Sequence, residues 1–435
     1  MRGTLIIYTL LIFIGVNLLT NICYSSITYD SGSNTIIIVG DSVCGNSSSN
    51  PCTFEDIYQA DVSNGWGVVS KQGNNQYEFR CKLQIGDGTN ETWLVDANKM
   101  ISHTIDDDFI YIPAHGHFRC GIVVDEANRI TKDGCCIYTN SSNKNIIKFA
   151  NGGIVELYST TISAESETKF LSDSSDSGYK IWNCNFIRVK GDATSTSTIP
   201  DVDFYRVNWQ SAEVGPTFTH TNYSNDILIS DCKYAISCSF QTPVTIKNYR
   251  VVGETYSFLI WTLDADLYAI NIDCKWNILW LTSNAPGKIY RQYTFTLKVV
   301  DGEGNPISGA KVSVYNRSGC LEFEDTTDVN GRISTHIITR GYYDEDHGST
   351  LVDFSPHTLV IEKEGYETYK TQFTPTKAIE AIDWQISLKK VYVIEMIEER
   401  RKGESDIGEG LVLGFGFGIA LLAIALFVVK GGGRE

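Results

Sequence analysis

The chain has 435 residues, enough for two or three domains with cores of their own. A formal net charge of −16 excludes the clustered Lys and Arg that a phosphate backbone requires, so nucleic acid is not an expected partner. A hydrophobic content of 42% excludes a disordered chain, and 23 Tyr, 19 Phe and 8 Trp favour strands.

Residues 1–25 read as an export signal. Arg2 supplies the positive start, residues 5–19 form an apolar run short for a membrane span, and the small residues Cys23 and Ser25 stand two apart. A first transmembrane helix is the competing reading. Export permits disulfides, and of 12 cysteines 11 remain once Cys23 leaves, so at least one thiol is unpaired or joins another chain. Cys44 and Cys52 flank an Asn/Ser/Pro-rich loop and are a candidate disulfide, while Cys135 and Cys136 are expected to be one buried and one paired thiol. Acceptor tripeptides for N-glycosylation stand at Asn46, Asn90, Asn140, Asn222 and Asn316, all between the two apolar segments of the chain.

Residues 53–62 predict one short amphipathic helix, with Phe54, Ile57, Tyr58 and Val62 on one face and Thr53 with Asp56 as a capping box. Short strands broken by Gly, Asn, Asp and Ser follow. From about residue 79 to 290 a loose repeat shows at Ile181-Trp182-Asn183-Cys184, Arg206-Val207-Asn208-Trp209, Ile229-Ser230-Asp231-Cys232, Ile246-Lys247-Asn248-Tyr249 and Asn271-Ile272-Asp273-Cys274. Aligned on 183, 208, 231, 248 and 273, the steps are 25, 23, 17 and 25 residues. A period near two dozen with Asn at a turn suits a parallel β-helix, whose stacked Asn side chains bond along the axis and whose Cys fill a narrow interior. The 17-residue step is short for a coil, and a β-sandwich is the competing reading. In its Ile-x-Asn-Cys cores at coil spacing this stretch resembles the right-handed parallel β-helix proteins of the pectate-lyase-like superfamily. The resemblance implies a helix plugging the open end of the stack, a role for residues 53–62.

A second pattern begins at Tyr293: an alternating strand, the turn from Asp301 through Gly304, Pro306 and Gly309 to Ala310, the turn Thr327-Asp328-Val329-Asn330-Gly331, and Lys363-Glu364-Gly365-Tyr366 before the last strands. These three motifs, in this order, resemble a carboxypeptidase regulatory-like domain, a small prealbumin-like β-sandwich. The resemblance implies an accessory spacer or interaction module without catalysis of its own. Residues 391–410 read as a tether, and 411–429 as a transmembrane helix, 19 uncharged residues spanning roughly 28 Å. Lys430 and Arg434 mark residues 430–435 as a cytoplasmic tail. Gly410, Gly414 and Gly418 have the spacing that lets two helices approach, a candidate route to self-association. The expected fold is thus all-β: signal peptide 1–25, β-helix 26–290, sandwich 291–390 and one C-terminal membrane helix.

Candidate chemistry is sparse. No His is followed by Glu at the third position, so the zinc-peptidase pattern is missing. His115-Gly116-His117 puts two imidazoles on one side of a strand without an identifiable third ligand, and His336, Asp344, Asp346 and His347 form a second loose group. Polysaccharide cleavage needs paired carboxylates, or a base beside Ca²⁺-binding acids; the candidates are Asp106-Asp107-Asp108, Asp201 with Asp203, and Asp264 with Asp266. All of these also fit turn-forming roles. Trp261, Trp276 and Trp280 offer either a glycan-stacking platform or packing against the next domain.

The first expectation is therefore a cell-surface structural or adhesion protein, a β-helix with potential glycan contacts displayed on a membrane-anchored stalk, in an envelope of archaeal type. No cofactor is expected, with Ca²⁺ tied to the alternative of a tethered polysaccharide lyase or glycoside hydrolase. Expected partners are the lipid bilayer and glycans or other envelope proteins.

Overall fold

The computed structural model describes residues 26–391 except 42–44, 143, 151, 173–178, 193–201, 213–216, 219–226 and 378–383. The expected signal peptide and the segments at 392–410 and 411–435, with Gly410, Gly414 and Gly418, lie outside the described residues. Among the described residues no helix is long and apolar enough to cross a membrane.

The chain folds as a β-solenoid of about seven turns. The described strands of the turns fall on three faces. The first face stacks Thr92–Asp96, Gly116–Cys120, Ile154–Tyr158, Tyr179–Trp182 and Val202–Tyr205, and later Val244–Lys247, Leu267–Ile270 and Ile289–Phe295. The second stacks Gln76–Phe79, Met100–His103, Cys136–Thr139, the start of Thr161–Ser172, the start of Asn185–Asp192, Asn208–Gln210, Ile227–Ser230 and Tyr249–Val252. The third carries Lys82–Ile85, Ile110–Ile112 and Asn145–Phe149, and further on Tyr234–Phe240, Tyr256–Leu263 and Ile278–Trp280. Within these stacks neighbours pair in parallel, so each coil repeats the last one strand spacing higher.

Alternation sorts the side chains. On the second face Ile101, Ile137, Ile162, Phe186, Trp209 and Ile229 follow one another inward and are all buried. Phe186 and Trp209 stack with ring centroids 4.3 Å apart. Two rows point outward. One is Met100, Cys136, Thr161, Asn185, Asn208 and Leu228; the other is Ser102, Tyr138, Ser163, Ile187, Gln210 and Ser230.

The corners between faces resolve the irregular step in the sequence repeat. Ser159, Asn183, Arg206, Asn248 and Asn271 turn the chain from the first face to the second with φ between 50° and 60°. Arg188, Ser211, Asp231, Gly253 and Trp276 turn it from the second face to the third with φ between 54° and 79°. Asp231 therefore belongs to a different corner from Asn183 and Asn248. Counted within its own corner, the second column advances by 23, 20, 22 and 23 residues. Asn is favoured here because its short amide tolerates the left-handed conformation. The expected Asn ladder is present in part: Asn271 Nδ2 donates to Asn248 Oδ1 at 2.9 Å. Cys184 and Cys232 are both buried, but they fill different corners and do not stack on each other.

The helix Phe54–Asn64 closes the N-terminal end, with Thr53 and Asp56 forming the expected capping box. Its Phe54 ring lies 5.9 Å from Phe79 and 6.4 Å from Phe118, so it plugs the coil interior. At the other end Ile289–Phe295 pairs in parallel with Leu267–Ile270 and antiparallel with His336–Tyr343. One strand thus ends the solenoid and opens a second all-β unit with its own core around Phe295, Val299, Val312, Val314, Ile338 and Leu359. The expected turns tie this unit together. Asp301 Oδ1 accepts from the Glu303 and Asn305 amides, and Asp328 Oδ1 from those of Asn330 and Arg332. Gly331 has φ 74°, and a Cβ there would sit 2.4 Å from the Val299 carbonyl oxygen, so glycine is required.

Candidate functional site

The expected acid pairs have different fates. Asp264 and Asp266 lie in the turn between Tyr256–Leu263 and Leu267–Ile270, where Asp266 Oδ1 accepts from the Lys288 amide at 3.0 Å and Asp264 is exposed. Asp201 lies outside the described residues, and Asp203 occupies the register position beside Lys180 on the first face. Asp106, Asp107 and Asp108 serve a loop: Asp108 Oδ1 accepts from the Asn145 amide at 2.8 Å, Asp106 Oδ1 from Ser142, and Asp107 lies 3.5 Å from Lys82.

The three tryptophans separate as well. Trp276 is 6% exposed, stacked on Tyr343 at 5.3 Å, with the Arg291 guanidinium 4.7 Å over its ring. Trp280 is half-buried and donates through Nε1 to the Gly348 carbonyl. Both therefore pack the end of the solenoid against the segment around residues 343–349. Trp261 is exposed and stands apart from that junction.

His115 and His117 do meet a third group, supplied from one coil earlier. The Glu91 carboxylate lies 2.5 Å from His117 Nε2 and 3.3 Å from His115 Nδ1. Trp93 stacks on His117 at 3.9 Å, and Arg119 lies over Trp93 and pairs with Glu156. Burial pushes the His117 imidazole down, against the opposing pull of Glu91. Glu91 stands 26 residues before His117, so only the coil period brings them together; Trp93 and His117 at matching strand positions are the sequence signal. Among the described residues no group of three or more His, Cys, Asp or Glu is arranged to hold a metal. His336 pairs with Asp325 at 2.8 Å and His347 with Asp344 at 2.6 Å, at opposite ends of His336–Tyr343, so that expected group is not assembled.

Cys135 is both buried and paired, in a disulfide with Cys120, and Cys136 is an exposed thiol. Burial and pairing thus fall on one residue of the Cys135-Cys136 pair. The disulfide closes the base of a hairpin, Ile122–Asp125 with Ile130–Lys132, inserted between the first and second faces. That hairpin lies over the first face, where Lys180 meets Glu126 at 2.8 Å and Arg129 covers Trp182. Cys52 is buried, while Cys44 lies outside the described residues. Asn46, Asn90 and Asn140 are exposed and Asn316 is half-buried; Asn222 lies outside the described residues.

No family model matches the chain, and no curated protein sequence matches it. Among solved structures it is similar to the 3-chlorocatechol 1,2-dioxygenase of Rhodococcus opacus 1CP, with 20% identity over 23% of this chain and 60% of that one and a TM-score of 0.17. It is also similar to the Bacillus anthracis TIE protein, at 18% identity over 28% and 20% of the two chains and a TM-score of 0.17. Wild-type catechol 1,2-dioxygenase of Acinetobacter radioresistens gives 18% identity, coverage of 27% and 56%, and a TM-score of 0.17. The chain spans less than two thirds of each of these proteins, and at such TM-scores they carry no argument about its fold or activity.

Proposed function

We propose that the chain is a membrane-anchored cell-surface protein, structural or adhesive, that holds its β-helix outward. In this reading residues 1–25 direct export, and residues 291–390 are a prealbumin-like, carboxypeptidase regulatory-like stalk. Residues 391–410 are the tether and 411–429 cross the bilayer, an arrangement of archaeal type. The observation that carries it is the strand Ile289–Phe295, which belongs to both the coil stack and the next unit. A shared strand makes a stiff joint, suited to fixing the position of a surface. The described acids support presentation over polysaccharide cleavage: Asp108 and Asp266 accept backbone amides of turns, and Glu156 is paired with Arg119.

The test is protease treatment of intact cells expressing the full chain with a C-terminal tag. The expected result is loss of the ectodomain with a short tagged fragment kept in the membrane fraction. A chain that is wholly protected, or wholly recovered as soluble protein, overturns the proposal. Product release from polysaccharides that is lost in the Asp264→Asn/Asp266→Asn variant replaces it with a tethered lyase or hydrolase.

A further inference from the structure

We infer that the outer side of the second face is a binding surface for an extended, uncharged polysaccharide; the inference rests on the cell-surface reading for where such a ligand is met. The two outward rows hold twelve side chains over six coils, and none is charged, in a chain that is 20% charged with a net −16. Charge resumes at both ends, with Glu78 beside Ser102 and Arg250 beside Leu228. Met100, Cys136, Tyr138 and Asn208 are exposed along the strip, and the corners that follow it are single left-handed residues at Arg188 and Asp231 and longer loops at 104–109 and 140–144. The hairpin at 122–132 leans over the first face and reaches the strip's border only at the corner residues Ser159 and Asn183, through Thr131.

The strip also carries the chemistry that recognises sugars. Asn208 Nδ2 donates to Asn185 Oδ1 at 2.8 Å, and Asn185 Nδ2 reaches Thr161 Oγ1 at 3.4 Å. This chain fixes the amides in one orientation and leaves their remaining lone pairs and N–H groups outward. Tyr138 is 38% exposed and Met100 54% exposed, adding apolar surface beside the polar rows. Five strand spacings of about 4.8 Å and three residues of about 3.3 Å give a strip of roughly 24 by 10 Å. That area, about 240 Å², is well below the roughly 800 Å² per partner of a stable protein interface. A second copy seated here would have to bury the exposed corner residues Arg188, Arg206 and Asp231. A single extended glycan chain fits within the uncharged rows. An acidic polymer would find no cation on the strip and would face the chain's own negative charge.

The experiment measures retention of the full chain, in mild detergent, on cellulose, chitin and mannan and on acidic polygalacturonate, with sedimentation run in parallel. The variants are Ser163→Asp and Gln210→Glu, two coils apart within the strip, and Gln241→Glu, an exposed position away from it. The expected result is retention on at least one neutral polymer, reduced at least about tenfold by either strip variant with melting unchanged, and unaffected by Gln241→Glu. Absence of retention on all the neutral polymers, or retention indifferent to the strip variants, overturns the inference. So does a dimer that the strip variants dissociate, because the face would then be covered by a second copy. These results are read on purified protein, so they stand or fall apart from the protease experiment on cells.

Discussion

Replacing Trp276 with Ala should loosen the joint between the solenoid and the following unit. The indole is 6% exposed and touches Phe258 at 5.5 Å and Tyr343 at 5.3 Å, with the Arg291 guanidinium over its face. Truncating a buried aromatic of this size costs about 3–5 kcal/mol. The backbone adds a second, opposite effect. Trp276 has φ 58°, where any side chain carries roughly 1 kcal/mol of strain or more that glycine avoids. Trp276→Gly should therefore be more stable than Trp276→Ala by about 1 kcal/mol, the reverse of the usual order in strands and helices. Urea midpoints of the three proteins measure both effects, and hydrogen exchange of the amides at 343–349 locates the loosening. A loss below about 1 kcal/mol for the alanine variant, or an alanine variant more stable than the glycine one, refutes the reasoning.

Burial pushes the His103 imidazole down to about 4, against the opposing charges of Asp107 and Asp108. The folded state therefore resists protonation while the unfolded state takes it up near 6.5, so stability is full above that pH and falls by about 3 kcal/mol as pH drops to about 4. His103→Leu should flatten that part of the curve in pH-dependent denaturation. Removing the Cys120–Cys135 disulfide by a double Ser substitution should cost about 3 kcal/mol for its separation of 15 residues, and raise exchange in the hairpin 122–132. Thr53→Ala removes the acceptor for the Asp56 amide and should cost about 1 kcal/mol in thermal unfolding, with little change in activity or binding elsewhere.

Much of this architecture is legible in the sequence. The capping box at Thr53 and Asp56 announces a helix because both halves are local, within three residues. The turns at Asp301 and Asp328 are legible for the same reason, each an Asp side chain bonding amides two and four residues on. The coil period was visible, but the register was not. Asn183 and Asp231 look alike in sequence because both corners demand the left-handed backbone, and only strand pairing tells which corner each occupies. The uncharged strip is hidden in the sequence for a related reason. Asn185, Asn208 and Leu228 become one row only after the coils are placed in register. The Glu91, His115 and His117 contact is hidden in the same way, one coil apart.

A stack of parallel strands has two open ends, each offering unpaired backbone groups to any passing strand. This chain closes them by different means. At the first end the helix Phe54–Asn64 covers the interior with Phe54, Ile57 and Ala60, and the antiparallel strands Val69–Gln72 and Gln76–Phe79 make the last ladder local. At the second end, the edge of Leu267–Ile270 is taken by Ile289–Phe295, whose other edge is taken by His336–Tyr343. The strand from the second unit is antiparallel, so the parallel ladder ends there and cannot template a further coil in register. The side chains reinforce the change: Ser349 exchanges hydrogen bonds with the Ile278 backbone, and Glu345 accepts from the Ala285 amide at 2.7 Å. The second unit is thus a structural cap, which ties the length of the stack to the place where the chain changes strand direction.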